Sequence, residues 1–353
     1  MPTVTIDGIE VKVGSDATIL DAARKAGIWI PTLCYNPSVS ALATCRLCMV
    51  ELDRGDWKQL VTACNYPVRR DIVVSVSSDR AAGARRGVME LLLARAMGCR
   101  KIDLYTRFDQ QPSDQQRTTF RELVRSAGKQ TPIAYLLGSR EFFSLEFEVT
   151  PAVLIPRPET EALANRVIDL CRADPDRTWR VCDVGTGTGC VAVAVAKYAP
   201  NTEFVATDIS AAALAVASRN VEKHALSSRV RLVEADGLKL PAGAVPQGGF
   251  DAVVSNPPYI PEKAWAALPP HIRDHEPRLA LTLDGSDGLV MYRRLAGEAP
   301  GVLGTGGHLL AEIGHDQHEQ VLGIFRQAGG WNYVGSYRDP TDPYDRVVEF
   351  RHG

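Results

Sequence analysis

The sequence of 353 residues has no apolar run long enough to cross a membrane. The longest, around Val191 to Ala196, falls far short of the ~18 residues a spanning helix needs. The first residues, Met-Pro-Thr-Val-Thr-Ile-Asp-Gly, have neither the basic region nor the hydrophobic stretch of a secretory leader. Positive charge is not in excess: 40 Lys and Arg stand against 42 Asp and Glu, a formal net charge of −2. A chain that neutralises many phosphates is usually basic, so broad nucleic-acid binding is not expected. Internal repeats and low-complexity tracts are missing, and apolar (45%) and charged (23%) fractions at globular averages exclude disorder and collagen-like order. A cytoplasmic, membrane-free protein is expected, in which eight cysteines read as thiols or metal ligands before disulfides.

What is present falls into three segments, since the length exceeds the ~150 residues of one ordinary domain. Residues 3–13 alternate apolar positions around Asp7-Gly8, which predicts a hairpin. Ser15 or Asp16 is placed to cap a helix carrying Ile19, Leu20, Ala22, Ala23 and Ala26, stopped by Gly27. Strands are expected near 49–53, 58–63 and 72–76, giving a small β-grasp-like domain over residues 1–80. From Ala82 the apolar spacing becomes helical, and residues 81–143 read as a helical connector, with strand character returning at 141–149; residues 81–150 carry a net charge of +3. Over 144–353, strands near 179–184, 203–207, 229–234, 250–255 and 307–313 alternate with helices. That alternation predicts an open, largely parallel sheet, closed by an antiparallel pair at 331–337 and 346–350 around a Pro/Asp turn. Residues 151–353 are net −5.

The first of those strands runs through Cys182 and Asp183 into Gly185-Thr186-Gly187-Thr188-Gly189, followed by a helix. Glycines let a ligand approach the backbone, and a helix start offers unpaired N–H groups. A nicotinamide fingerprint would need glycine at 190, where Cys190 stands. Asp208 ends the second strand, where an acidic group can accept ribose hydroxyls. Asp236, followed by Gly237, ends the third and is placed to meet an adenine edge. Three acidic strand ends in register favour an adenosyl ligand over a generic turn.

The fourth strand ends in Asn256-Pro257-Pro258-Tyr259. Two prolines remove two backbone donors and stiffen the loop, leaving carbonyls as acceptors. Asn256 Oδ1 and the Pro257 carbonyl are suited to accept both hydrogens of a planar NH₂ group, with Tyr259 as a flat face. An amide nitrogen is a poor nucleophile because its lone pair is delocalised. Fixing both N–H bonds opposite a methyl sulfonium aligns it and favours charge redistribution toward nitrogen. No metal or strong general base is expected.

On these motifs residues 85–353 resemble the release-factor glutamine methyltransferases. The resemblance extends to Tyr135-Leu-Leu-Gly-Ser-Arg-Glu-Phe-Phe143, Leu154-Ile-Pro-Arg-Pro-Glu-Thr-Glu161, Glu276-Pro-Arg-Leu-Ala-Leu281 and Asp287-Gly-Leu-Val-Met-Tyr-Arg293. It implies a Rossmann-like class I fold dependent on S-adenosylmethionine, and as substrate the glutamine of the Gly-Gly-Gln loop in peptide chain release factors. It implies cofactor contacts from Asp183, Gly185, Thr186, Gly187, Thr188, Gly189, Asp208, Asp236, Gly237 and Asn256, and an amide held by Asn256, Pro257, Pro258 and Tyr259. Of the family's helical recognition domain, only the later helices, about 82–135, are recognisable.

Four of the eight cysteines, Cys34, Cys45, Cys48 and Cys64, lie in the front segment, which contains no histidine. A C-x2-C pair with two more thiols suits zinc or an iron–sulfur cluster, and the setting without histidine favours 2Fe-2S over zinc. Residues 1–80 resemble the 2Fe-2S ferredoxin-like domain of the large iron–sulfur subunits of NADH dehydrogenase and related hydrogenases. The resemblance rests on Ile30-Pro-Thr-Leu-Cys34, Thr44-Cys-Arg-Leu-Cys-Met-Val-Glu51 and Thr62-Ala-Cys64. Cys171, Cys182 and Cys190 read as core packing. The expectation is therefore an α/β enzyme with a β-grasp front domain, S-adenosylmethionine and a 2Fe-2S cluster, release factors as protein substrate, and a redox partner open for the front end. The alternatives are a DNA or RNA amino-methyltransferase, which would need a basic base-flipping surface, or a redox-sensing or electron-transfer module in which methyl transfer is secondary.

Overall fold

The computed structural model describes residues 1–353 except 15–16, 31–47, 56, 65 and 339–343. Cys34 and Cys45, the proposed helix caps Ser15 and Asp16, and most of the Pro/Asp turn fall outside the described residues. The chain divides into two compact units. One comprises Met1–Leu137 with Ala267–His275, the other Gly138–Ala266 with Glu276–Gly353.

In the first unit, β1 (Thr3–Ile6) and β2 (Ile9–Lys12) form the expected hairpin, with Asp7 and Gly8 both at positive φ. That is the turn whose twist matches paired strands. With β3 (Met49–Asp53), β4 (Lys58–Thr62) and β5 (Ile72–Ser75) they make a mixed five-stranded sheet in the order β2-β1-β5-β3-β4. Helix Ile19–Lys25 packs Ile19, Leu20, Ala22 and Ala23 into its core. Its cap is Thr18, not the expected Ser15 or Asp16. Thr18 Oγ1 accepts from the Asp21 amide while the Asp21 carboxylate accepts from the Thr18 amide, a reciprocal capping box. Helix Asp79–Met97 begins three residues before the expected Ala82 because Ser78 caps it, and Gly98 at φ +66° ends it. Helix Asp114–Gly128 follows, with a second capping box between Ser113 and Gln116.

The second unit opens with the hairpin β6 (Ser139–Phe142) and β7 (Leu145–Glu148). Its main sheet has seven strands: β8 (Trp179–Val184), β9 (Thr202–Asp208), β10 (Val230–Glu234), β11 (Phe250–Ser255), β12 (Leu303–Glu312), β13 (Trp331–Tyr337) and β14 (Val347–His352). The order is β10-β9-β8-β11-β12-β14-β13. The first five strands run parallel, and β14 is antiparallel to both β12 and β13, as the alternation implied. Two apolar cores form in this unit, one around helices Glu161–Ala173 and Cys190–Tyr198, the other around helices Val290–Glu298 and His318–Ala328. Chain order reverses between β8 and β11, and a crevice at the carboxyl ends of such strands is where ligands bind in open α/β sheets. Among the described residues, no helix is long and apolar enough to cross a membrane.

Candidate active site

Register places the site. Val184 pairs with Thr207 on one side and Ser255 on the other, and Ser255 pairs with Ala311. The next residues along these strands, Gly185, Asp208, Asn256 and Glu312, therefore stand in one row at the carboxyl edge of the sheet. Ser255 Oγ donates to the Val184 carbonyl at 2.8 Å and ties the two central loops together.

Gly185, Gly187 and Gly189 adopt φ of +72°, +56° and +79°, a backbone only glycine takes without strain. The Asp208 carboxylate clamps this loop, Oδ2 accepting from the Gly187 amide and Oδ1 from the Ser210 amide, both at 2.9 Å. Asn220, fully buried, donates to the Thr188 carbonyl at 2.9 Å. Asp183 is buried and accepts from Thr186 Oγ1 at 2.6 Å. Burial pushes its carboxyl up to about 6, against the hydrogen bonds from Thr186 and the Ala192 amide and with the Asp208 charge adding to the rise. Burial also raises Asp208.

Asp183, Gly185, Thr186, Gly187, Thr188, Asp208, Asn256 and Pro258 all line one cavity. A Cβ at Gly185 or Gly187 would meet no atom within 4 Å, so the glycines leave open the space above the loop that a side chain would take. A pocket with a glycine cradle at a helix start and an acidic residue at the next strand end fits an adenosyl ligand.

The remaining expected contacts are arranged differently. Asp236 and Gly237 do not line the cavity. Arg294 Nη1 donates to Asp236 Oδ1 at 2.6 Å, and Lys239 sits 3.4 Å from Oδ2. These cations, Arg294 foremost, hold Asp236 below its ordinary range. Gly237 is close-packed, since a Cβ there would come within 2.5 Å of Arg294 Nη2. Pro257 is buried, and Tyr259 packs on the second apolar core rather than facing the cavity. Its phenol is pushed up by burial, and its carbonyl accepts from Gln317 Nε2 at 2.9 Å. Gly189 adjoins Ala217 instead of the cavity. Cys190, read as core packing, is buried but also lines the cavity, its thiol pushed up to about 12 by burial.

Four residues escaped sequence reasoning. Thr160 accepts from Asn256 Nδ2 at 3.0 Å and lines the cavity. Glu312, at the end of β12, is buried in the row that holds Asn256, and burial pushes its carboxyl up to about 7. Glu276 accepts from Arg157 Nη2 at 2.5 Å and from the Ile155 amide at 3.2 Å. Gln317 braces the loop after Asn256. Two of the four, Thr160 and Glu276, lie within the runs 154–161 and 276–281, so a signal was present but the side-chain roles were not readable from it.

In the first unit, Cys48 and Cys64 lie fully buried with Sγ atoms 3.1 Å apart. Two thiolates on one tetrahedral centre with metal–sulfur bonds near ~2.3 Å lie ~3.8 Å apart, within a small side-chain rotation of this pair. Half of the expected donor set is thus brought together in a form that fits a shared iron. The other half, Cys34 and Cys45, lies outside the described residues.

Comparison with known proteins finds three family models along the chain. The family model "Methyltransferase small domain" matches residues 166–303, "PrmC N-terminal domain" matches 79–138, and "2Fe-2S iron-sulfur cluster binding domain" matches 1–79. A release factor glutamine methyltransferase of Rhodopirellula baltica is 42% identical over 270 residues, covering 74% of this chain and 88% of the relative. That of Geobacter sulfurreducens is 42% identical over 264 residues, 75% and 88%. That of Moorella thermoacetica is 41% identical over 272 residues, 75% and 91%. Identity at this level, over nearly the whole of each relative, means that the chain belongs to the release factor glutamine methyltransferase family, with a 2Fe-2S cluster-binding domain at its front.

Proposed function

We propose that this chain methylates the side-chain amide nitrogen of the glutamine in the Gly-Gly-Gln motif of peptide chain release factors, acting from the cytoplasm. The observation that carries the reading is the Asn256–Thr160 hydrogen bond. Asn256 has two donors on nitrogen and an oxygen that accepts. With Nδ2 engaged by Thr160, Oδ1 is left for a substrate N–H, on the cavity that also holds the glycine loop and Asp208.

S-adenosylmethionine supplies a methyl group on a cationic sulfur that leaves as a neutral thioether. Gly185 to Gly189 and Asp208 would hold its adenosyl end, and Asp183 lies beneath the loop as a counter-charge. Asn256 Oδ1 and the Pro257 carbonyl would accept the two amide hydrogens, one of which departs as a proton to solvent once the N–C bond has formed and the S–C bond has broken. The rigid Pro257-Pro258 step keeps these acceptors in place, so the nitrogen is oriented before reaction and no ordering cost falls in the barrier. Tyr259, braced from behind by Gln317, anchors the end of that loop. We assign residues 1–80 to the cluster domain, 81–143 to a helical connector and 144–353 to the methyltransferase domain, with Cys34, Cys45, Cys48 and Cys64 as cluster ligands.

The test is a transfer assay with S-adenosylmethionine on anaerobically purified protein, reading the Gly-Gly-Gln peptide of a release factor by mass spectrometry beside an oligonucleotide control. One methyl group on that glutamine is the expected result. Transfer to the oligonucleotide alone would overturn the reading.

A further inference from the structure

We propose that Asn220 is a positioning residue that pins the glycine loop in its cofactor-binding shape. The inference rests on the reading above that Gly185 to Gly189 hold the adenosyl end, and adds to it what keeps that loop ready. Three glycines at positive φ make the loop possible, but the same freedom lets its peptides turn over at little cost. The Thr188–Gly189 peptide is open to this, because Gly189 tolerates either sign of φ. Asn220 holds it. Its Nδ2 donates to the Thr188 carbonyl at 2.9 Å and keeps that oxygen turned toward helix Ala211–Lys223. The Asn220 carboxamide is itself fixed in direction by Glu148, at the end of β7. The Glu148 amide donates to Oδ1 at 2.7 Å, and the Glu148 carbonyl accepts from Nδ2 at 3.1 Å. An N–H can be met only by the oxygen, so both Nδ2 protons face carbonyls, one of Glu148 and one of Thr188.

The helix backs the loop along one face. Ala213, Ala217 and Asn220 recur at helical spacing, and all three are buried. Ala213 lines the cavity, Ala217 Cβ lies 3.5 Å from where a Cβ on Gly189 would stand, and Asn220 reaches Thr188. Asn220 is 0% and Thr188 2% exposed. A buried carboxamide is costly unless its donors and acceptor are met, and here the oxygen and both N–H bonds have partners. An apolar side chain at this position would take from the Glu148 amide and the Thr188 carbonyl the partner they share.

The experiment measures Kd for S-adenosylmethionine by calorimetry in the full-length protein, with no protein substrate present. Asn220→Asp keeps the size and the acceptor toward Glu148 but sets an oxygen against the Thr188 carbonyl. It should raise Kd about 10-fold or more, the result of reducing the binding-ready loop to about a tenth of the population. Turnover at saturating cofactor should stay within about 3-fold, because the bound cofactor then holds the loop and Asn256 is untouched. Asn220→Ser is the milder variant and should raise Kd about 3-fold or more; it decides by the same criterion where Asn220→Asp does not fold. Thr202→Val controls for lost stability alone. Thr202 is 1% exposed and donates to the Ala199 carbonyl at 2.8 Å, at the opposite end of β9 from the loop. That variant should melt earlier with Kd unchanged. An equal rise in its Kd at an equal loss of melting temperature would overturn the inference, since Asn220 would then act through general stability. Asp208→Ala, which removes the clamp on Gly187, separates the inference from the reading beneath it. Weakened binding there, with Kd in the folded Asn220 variants within about 2-fold of wild type, overturns the inference alone. Unchanged Kd in Asp208→Ala and in the Asn220 variants overturns the glycine-loop reading together with it.

Discussion

Arg157 and Glu276, 119 positions apart in the chain, are joined by a hydrogen-bonded ion pair in which the Glu276 carboxylate is wholly buried. The same carboxylate accepts from the Ile155 amide. It fastens the segment 152–157 to the segment 277–280, and both contribute to the wall of the cavity. Glu276→Ala should lower stability by about 3 kcal/mol, because it leaves a partly buried guanidinium and a buried amide without their acceptor. It should also raise KM. Thermal unfolding together with steady-state transfer kinetics checks both, and an unchanged melting temperature would contradict the clip.

Asn256→Ala removes the acceptor itself. Turnover should fall by about 100-fold or more while affinity for S-adenosylmethionine stays within a few-fold, since one oriented acceptor is lost and the glycine loop is untouched. Calorimetric titration beside single-turnover kinetics separates the two quantities. Equal losses in both would mean that Asn256 holds the cofactor and not the amide.

Gly288 sits behind the same loop at φ +82°, and a Cβ there would come within 2.4 Å of the Tyr259 carbonyl and 3.1 Å of Gln317 Nε2. Gly288→Ala is therefore expected to push Tyr259 off its Gln317 brace. Strain of this kind costs about 1–3 kcal/mol. The variant should melt earlier and turn over more slowly, whereas Gly285→Ala, at a similar φ with nothing within 4 Å of its Cβ, should show the strain without the catalytic loss.

Asp183 gives cofactor binding a pH dependence of definite sign. Burial holds its free-protein value near about 6. A cationic ligand favours the ionised form, so binding expels a proton wherever Asp183 is protonated beforehand. Affinity for S-adenosylmethionine should be flat from pH 7 upward and weaken as pH falls through about 6. Asp183→Asn should bind more weakly at pH 8 and lose that slope. In the ligand-free protein the sign for stability is opposite. The folded value lies above the ordinary one, so the cost of the buried charge is present above about 6 and is relieved as pH falls through it.

The paired thiols predict a metal phenotype. Cys48→Ser and Cys64→Ser should each lower iron and acid-labile sulfide in the purified protein and bleach its visible absorbance, because either change removes a ligand that its neighbour cannot replace. Zinc at one equivalent with no sulfide in the wild type would replace the cluster with a zinc site.

Much of this was readable in order of residues. Alternation around Asp7-Gly8 located the first hairpin, and the strand–helix alternation after residue 178 located the main sheet, because these patterns report local burial periods. The cavity positions of Gly185 to Thr188 and Asp208 were legible because a tight turn and an acidic strand end are properties of residue type. The Thr18 cap was missed because Ser15 and Asp16 are equally good capping residues, and only the backbone decides which one meets the first turn. The arginine beside Asp236 was not legible for a related reason: an acidic strand end looks the same whether or not an arginine from a distant helix pairs with it, as Arg294 does here.

The sequence by itself determined the periodicities, the positive-φ glycines, the stiff proline corner and the cysteine spacing, all of which are properties of neighbouring residues. Only the tertiary structure decided that Asn256 turns its nitrogen to Thr160, that Tyr259 rests on the core, that Glu276 ties two cavity walls, and that Cys48 meets Cys64. Those outcomes depend on pairings across the sheet and between loops far apart in the chain. There, a side chain's single proton or single buried oxygen is assigned by partners that no local pattern names.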